Sequence, residues 1–345
     1  NVTGLSIGTQ YWYRPYAQAL RNAAVGEVMN FTTLQYASLL SPMVHVCSST
    51  CGTASVQVDA DGGSAVTGVG FNISTNADLS GGSTLSAEDV SGVWEADLTG
   101  LTPETTYYLA AYVTNGVGTA YSGDTVSFST LEPACFGMTT LDYNGGTYDL
   151  VEIGDQCWFK DNLYTTTFSN GSSIAGISGG SSSQWATATY PAHSLNASNG
   201  ANYTQSHGLL YNGHAVSDLR GLCPVNWHVS TDQDWMVAEV VMGMTPEEAA
   251  SEGYRGTNEG AKMKAAATDT PAWDGTNDCG FSLVPAGWRG TAGPLANWSS
   301  RASIWAPDPE GGVNNGRVLN TGDSRIIRVT NVGSQHGYSV RCVMD

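Results

Sequence analysis

Two hydrophobic patterns divide the chain. Around residue 110 apolar and aromatic residues alternate, with Tyr107, Leu109, Ala111 and Val113 on one face and Tyr108, Ala110 and Tyr112 on the other, the two-residue period of a pleated strand. Residues 56–59 and 67–73 are further strands of this kind, rich in valine and other β-formers. Past residue 131 tryptophans become frequent and helical signals appear. Thr231 and Asp234 frame a capping box ahead of Trp235, Val237, Ala238, Val241 and Met242, which predicts a helix. Thr245-Pro246-Glu247-Glu248 predicts a second, short one with proline at its first position. Residues 149–153 and 339–343 read as extended and residues 169–183 as a Gly/Ser-rich loop, so this part is α+β with modest helix content.

The strand pattern occurs twice. Val2-Thr3-Gly4-Leu5 and the residues after it up to Tyr16 align with Leu98-Thr99-Gly100-Leu101 and the residues up to Tyr112, and residues 28–34 align with 125–131. The period of about 97 residues is the size of one all-β sandwich domain. Residues 43–132 make a complete copy, whereas residues 1–42 hold only the second half of one. A half sandwich exposes an apolar face and a sheet edge and is not stable alone. The missing strands are therefore expected from upstream repeats of a longer stalk or from a neighbouring copy of the chain. No spare first half follows residue 131, so simple head-to-tail exchange between copies does not close. On the phrases Gly100-Leu101-Thr102-Pro103-Glu104-Thr105-Thr106-Tyr107-Tyr108 and Ser127-Phe128-Ser129-Thr130, this region resembles the fibronectin type III-like repeats of bacterial surface proteins.

Seven cysteines, at 47, 51, 135, 157, 223, 279 and 342, show neither a C-x-x-C pair nor zinc spacing, so disulfides explain them better than metal. Cys47 and Cys51 can close a small loop. Cys135 and Cys157 flank the turn Asn144-Gly145-Gly146, across the open end of a hairpin. Other connectivities stay open at this point, and an oxidising, extracellular or cell-surface location follows.

A set of ordered phrases marks residues 133–345 as a separate domain. Val151-Glu152-Ile153-Gly154-Asp155-Gln156-Cys157-Trp158-Phe159 comes first, then Gly208-Leu209-Leu210-Tyr211-Asn212 and Gly221-Leu222-Cys223-Pro224-Val225-Asn226-Trp227-His228-Val229. Gly280-Phe281-Ser282-Leu283-Val284-Pro285-Ala286-Gly287-Trp288-Arg289 and Tyr338-Ser339-Val340-Arg341-Cys342-Val343-Met344 complete it. Together they resemble the Fibrobacter-type major paralogous domain of secreted and surface proteins. That resemblance implies a C-type-lectin-like fold related to the sulfatase-modifying factors, and a Cys223–Cys342 pair, with Cys279 left over. The redox cysteine pair of those relatives is not carried over, since only Cys342 stands near the C-terminus. The expected fold class is thus multidomain, with all-β fibronectin type III or Ig-like sandwiches followed by an α+β C-type-lectin-like domain.

Charge narrows the partners. Only 13% of residues are charged, and the formal net charge is −18, which gives a nucleic-acid or anionic-membrane surface no electrostatic basis. No apolar run is long enough for membrane insertion. The Gly4-Leu5-Ser6-Ile7-Gly8 and Gly176-Ile177-Ser178-Gly179-Gly180 phrases match a hydrolase elbow only formally. In the repeat copy of the first, Pro103 follows Thr102, so it is a strand-connecting turn, and the second is low-complexity loop. His228 is expected to be packed and hydrogen-bonded. No catalytic constellation is found, and a non-enzymatic role is expected.

Candidate ligand chemistry lies between residues 288 and 336. Trp288, Trp298 and Trp305 offer faces for stacking on sugars or aromatic groups, and Arg289, Arg301, Asp308, Asn315 and Arg317 offer directed hydrogen bonds. Asp274, Asn277 and Asp278 hold enough oxygens for a Ca²⁺ site. Asp124-Thr125-Val126 resembles an Asp-Thr-aliphatic O-glycosylation signal, making Thr125 the glycan candidate. The expected function is an extracellular surface adhesin or binding protein, a sandwich stalk with a lectin-like tip for a glycan or surface protein. A structural subunit of a surface filament, assembled by strand complementation of the half repeat, is the alternative.

Overall fold

The computed structural model describes residues 2–195, 204–308 and 314–345. The chain divides into two compact units, Asn1–Val46 with Cys51–Thr130, and Cys47–Thr50 with Leu131–Asp345. Among the described residues no helix is long and apolar enough to cross a membrane.

The first unit is all β. Its N-terminal part holds β1 (Gln10–Tyr13), β2 (Tyr16–Gln18), β3 (Ala23–Val25) and β4 (Met29–Thr32), with β1 paired to β4 and β2 to β3. There follow β5 (Ser38–Leu39), β6 (Met43–Val46), β7 (Gly52–Val56), β8 (Val58–Ala60), β9 (Val66–Ser74) and β10 (Ser83–Ser86). Then come β11 (Glu88–Val90), β12 (Val93–Leu98), β13 (Thr106–Asn115), β14 (Thr119–Tyr121) and β15 (Val126–Ser129). One sheet runs β11-β12-β7-β6; the other runs β10-β9-β13, with β14 and β15 both on the far side of β13. This two-sheet order is that of a fibronectin type III-like sandwich. The alternation read from the sequence is why it closes: Leu109, Ala111 and Val113 are all 0% exposed, packed with Phe71, Val56 and Leu98 between the sheets. Gly70 on β9 is required because an added Cβ would run into the Leu85 carbonyl and would meet the Tyr112 hydroxyl at 2.6 Å and its ring at 2.7 Å.

The repeat reappears bond for bond. In the complete copy Tyr107 Oη accepts from the Thr102 amide at 3.0 Å, and in the half copy Tyr11 Oη accepts from the Ser6 amide at 2.8 Å. Thr130 Oγ1 donates to Thr102 O at 2.7 Å, and Thr33 Oγ1 to Ser6 O at 2.6 Å. The Tyr107–Phe128 ring pair, centroids 5.7 Å apart, is matched by Tyr11–Phe31 at 6.0 Å.

The second unit is mostly β with short helices. A hairpin of β16 (Thr140–Tyr143) and β17 (Gly146–Ile153) turns at Asn144 and Gly145, whose φ values of 48° and 82° are those of a type I′ turn. Next come β18 (Gln156–Phe159), β19 (Ala175–Gly176), α1 (Ser182–Ala186), β20 (Ala192–Ser194), β21 (Leu210–Asn212), α2 (Gly213–Val216) and β22 (Trp227–Val229). α3 (Asp232–Val241), α4 (Pro246–Ala250), β23 (Gly253–Arg255) and α5 (Glu259–Met263) lead to β24 (Trp288–Arg289) and β25 (Leu295–Ala296). β26 (Arg301–Pro307), β27 (Asn314–Asn320), β28 (Ile326–Val329), β29 (Gly337–Tyr338) and β30 (Cys342–Met344) complete the unit. Its sheets run β16-β17-β18-β30-β22, β19-β20-β21-β29-β24-β25 and β23-β28-β27-β26.

The two predicted helices form where their caps placed them. Thr231 Oγ1 accepts from the Asp234 amide to start α3, and Thr245 does the same with Glu248 for α4, with Pro246 in its first turn. The segment expected to be extended at 339–343 is broken: β29 ends at Tyr338, β30 begins at Cys342, and the two lie in different sheets. Arg341 turns inward between them, 0% exposed, and donates to Phe281 O at 2.6 Å and Ser282 O at 3.1 Å. One core gathers Trp158, Trp235 and Phe281 edge to face; a second gathers Tyr148, Phe159, Trp227, Trp305 and Tyr338.

Disulfides join Cys135 to Cys157 and Cys223 to Cys342, and Cys47 and Cys51 are also disulfide-bonded. The Cys135 bond is not the closure of one hairpin that the sequence implied. Cys157 lies on β18, so the bond ties the segment before β16 to the third strand of the sheet.

Candidate functional site

The region from β24 to β29 separates into a sealed part and an open part. Trp288, half-buried, stacks on His336 with centroids 5.7 Å apart and planes 20° apart, and meets Tyr338 edge-on. Its Nε1 donates to Asn297 Oδ1 at 3.0 Å. The Arg301 guanidinium sits 5.2 Å from the Trp288 ring centroid, and its Nε donates to Ser303 Oγ at 2.9 Å. Burial pushes Arg301 below the usual guanidinium value, only partly offset by Tyr338, and among the described residues it joins no ion pair. Trp298, also half-buried, stacks on His207 at 4.6 Å, and Asp308 is half-buried just past β26. The open part thus offers a guanidinium, two indoles, an imidazole and an amide.

Four expected ligand residues are instead structural. Trp305 is 0% exposed and donates Nε1 to Tyr211 O at 2.7 Å. Arg289, 0% exposed against the Trp185 ring, donates to Ser194 Oγ and to the carbonyls of Gly293, Ile177, Ser178 and Ser181; burial pushes it down to about 10. Arg317, 0% exposed, is ion-paired with Asp232 and Glu239 at 2.6 Å each. Asn315 is 5% exposed on β27. For Trp305, Asn315 and Arg317 the reason is shared: β26 and β27 are buried along their length, so a stretch that reads as a polar loop contributes its side chains to the interior.

The expected Ca²⁺ loop is committed elsewhere. Asp274 accepts from Lys264 Nζ at 2.8 Å and from the Gly322 amide at 2.6 Å. Asn277 gives its amide nitrogen to Asp269 and Ser282 and its oxygen to the Ser282 amide. Those bonds point the oxygens of Asp274 and Asn277 at protein donors. Thr125 is exposed immediately before β15, which leaves it accessible to a transferase.

Sequence reasoning missed His336 and Asn297 as members of the open site, whereas His228, expected to be packed and hydrogen-bonded, is bonded through both ring nitrogens. His228 Nε2 meets Asp234 Oδ2 at 2.9 Å, and Nδ1 meets Asp345 Oδ1 at 2.7 Å, beside a cleft of about 310 Å³ lined in part by Asp155, Gln156 and Met344. The Asp234 bond raises the imidazole above 6.5 against the opposing effect of burial, and Asp345 adds to it. A raised folded value means that the His228 contribution is full below about 6.5 and is lost as pH rises through the folded value. Burial pushes Asp234 upward, but His228 and Thr231 outweigh it and hold the carboxyl low, so its contribution is lost as pH falls through that value. Thermal melts of the second unit between about pH 6 and 8 are expected to lose Tm with rising pH, and His228→Gln is expected to flatten the slope. Parallel slopes would remove the assignment.

The model of the Fibrobacter succinogenes major domain matches residues 151–344, more than half of the chain. No curated protein matches. Among solved structures, a "Myokine structure" is 16% identical, covering 28% of this chain and all of its own, with a TM-score of 0.23. The FN1–FN3 domains of chicken CNTN1 are 17% identical over 37% of this chain and 45% of theirs, TM-score 0.25. The sixth fibronectin type III domain of human fibronectin type III domain containing protein 3 is 21% identical over 30% of this chain and 90% of its own, TM-score 0.23. The sandwich itself is identified by its strand order and register. With its disulfides and sandwich repeat, the chain has the character of an extracellular repeat protein, and it belongs to the Fibrobacter succinogenes major domain family.

Proposed function

We propose that this chain is a non-enzymatic binding protein of the cell surface, in which sandwich repeats act as spacers and the C-terminal unit, C-type-lectin-like in plan, engages a glycan or a surface protein. The observation that carries the reading is the open cluster of Trp288, Arg301, His336 and Asn297. An indole face prepared by stacking on His336, beside a guanidinium with no carboxylate among the described residues, suits a ring-shaped ligand bearing an oxygen-rich or anionic substituent. The lectin-like plan is supported by the last strand, β30, lying beside the early strand β18 and tied to Cys223.

Binding of the full chain to an array of neutral and acidic glycans tests the reading. Trp288→Ala and Arg301→Ala are each expected to weaken the strongest signal about 30-fold, as for an interface anchor worth about 2 kcal/mol. Unchanged affinity in both variants, or no glycan retained at all, would overturn the assignment of this surface to glycans.

A further inference from the structure

The half repeat keeps its internal bonds but lacks a cover. Tyr13 is 48% exposed, Met29 50% and Phe31 40%, whereas Leu109, which stands where Tyr13 does in the complete copy, is 0% exposed. In the complete copy that face is covered by β7 and β12 of the opposing sheet, and the sheet edge beside it is filled by β9, paired along β13 in the register Tyr108↔Ser74, Leu109↔Ile73 and Ala110↔Asn72. The chain therefore contains its own reference for what lies on such an edge.

The backbone of the half copy has kept that edge open. In the complete copy the Ala111 amide donates to Ser122 Oγ and the Ala111 carbonyl accepts from the Ser122 amide, so Ala111 faces away from β9 while residues 110 and 112 face it. Pro15 holds the equivalent place and accepts from the Gly26 amide at 2.9 Å. The proline, which has no N–H to give, thus sits on the side already paired, and Trp12, Arg14 and Tyr16 turn their backbone groups to the vacant side.

Charge fits the same occupant. Residues 1–34 carry two arginines and one glutamate in a chain of net charge −18, whereas the first half of the complete repeat, residues 43–98, carries seven Asp and Glu and no Lys or Arg. Copies of this chain cannot supply the cover without uncovering another edge, because each holds one first half and two second halves. We propose that the open edge of β1 receives the first half of a repeat of the same kind, supplied by polypeptide outside these 345 residues, its third strand antiparallel to β1 in the register of β9 on β13. Trp12, Tyr13 and Arg14 then stand opposite the places of Ser74, Ile73 and Asn72. This makes no use of Trp288 or Arg301, so its failure and that of the binding reading are separate events.

The test is the full chain with a second copy of residues 38–98 fused ahead of it, compared with the chain as it stands by amide hydrogen exchange. The amides of Trp12, Arg14 and Tyr16 are expected to slow about 100-fold or more in the fusion, with Trp12 emission shifted to the blue. Arg14→Pro, which removes an N–H from the open edge alone, is expected to abolish that protection, and Arg14→Ala to keep it. Unchanged exchange in the fusion would overturn the proposal. So would protection of the same amides in the unfused chain that rises with concentration alongside a dimer, which would make a second copy the occupant.

Discussion

Glu239→Ala is expected to destabilise the second unit by about 3–5 kcal/mol, the range for removing one partner from a buried ion pair. Glu239 is 0% exposed on α3 and holds two guanidinium groups, Arg255 through both terminal nitrogens at 2.6 and 2.8 Å and Arg317 through Nε at 2.6 Å. Asp232, one residue into the same helix, takes Arg317 and Arg328. The network locks α3 to β23, which follows it closely in sequence, and to β27 and β28, which lie more than 70 residues further along. Without the Glu239 carboxylate Arg255 is left buried with no carboxylate partner, Arg317 keeps only Asp232, which it shares with Arg328, and the helix loses its tie to β23. The cost reflects stranded charge more than the intrinsic worth of the pairs, because an apolar replacement of the whole set can be close to neutral. Urea titration followed by tryptophan fluorescence checks this. A loss below about 1 kcal/mol, the range of exposed pairs, would mean that water reaches the network.

Removing the Cys223–Cys342 disulfide is expected to cost about 5 kcal/mol, and removing Cys135–Cys157 about 3 kcal/mol. The difference lies in the unfolded state, where the first bond closes a loop with a sequence separation of 119 and the second one of 22. Chain entropy rises with the logarithm of loop length. Cys342 is also 0% exposed at the end of the chain, on the strand between β18 and β22, so its bond retains a central strand contributed by the last residues. Double alanine variants at each pair, unfolded in denaturant without reductant, give the two costs separately. Equal losses, or the reverse order, would show that native packing rather than loop length sets the effect.

Features whose causes lie within a few residues were legible in the chain. The Thr231–Asp234 and Thr245–Glu248 caps each close over three residues, and the Asn144-Gly145 turn needs only two residues with positive φ. The sandwich repeat was legible for another reason: its corner bonds use the same residue types at a nearly constant offset, so Tyr11 and Tyr107 identify each other.

Exposure was not legible, because it depends on what lies above a strand. Arg289, Arg317 and Trp305 stand in a stretch rich in Gly, Asn and Arg that reads as a wet loop, yet all three are buried, and their polar groups serve a hydroxyl of β20, the Ser181 carbonyl just before α1, the Tyr211 carbonyl of β21 and a carboxylate of α3. Asp274 likewise looked free for a cation until Lys264 and the Gly322 amide arrived from elsewhere in the chain.

The sequence by itself determined the two-part organisation, the sandwich with its orphan half, the family of the C-terminal unit and the local caps and turns, all of which follow from short-range geometry and periodicity. Only the tertiary structure decided which of the arginines and tryptophans face water. Burial is a property of strand neighbours brought together across more than a hundred residues, and a buried guanidinium and an exposed one are written with the same residue.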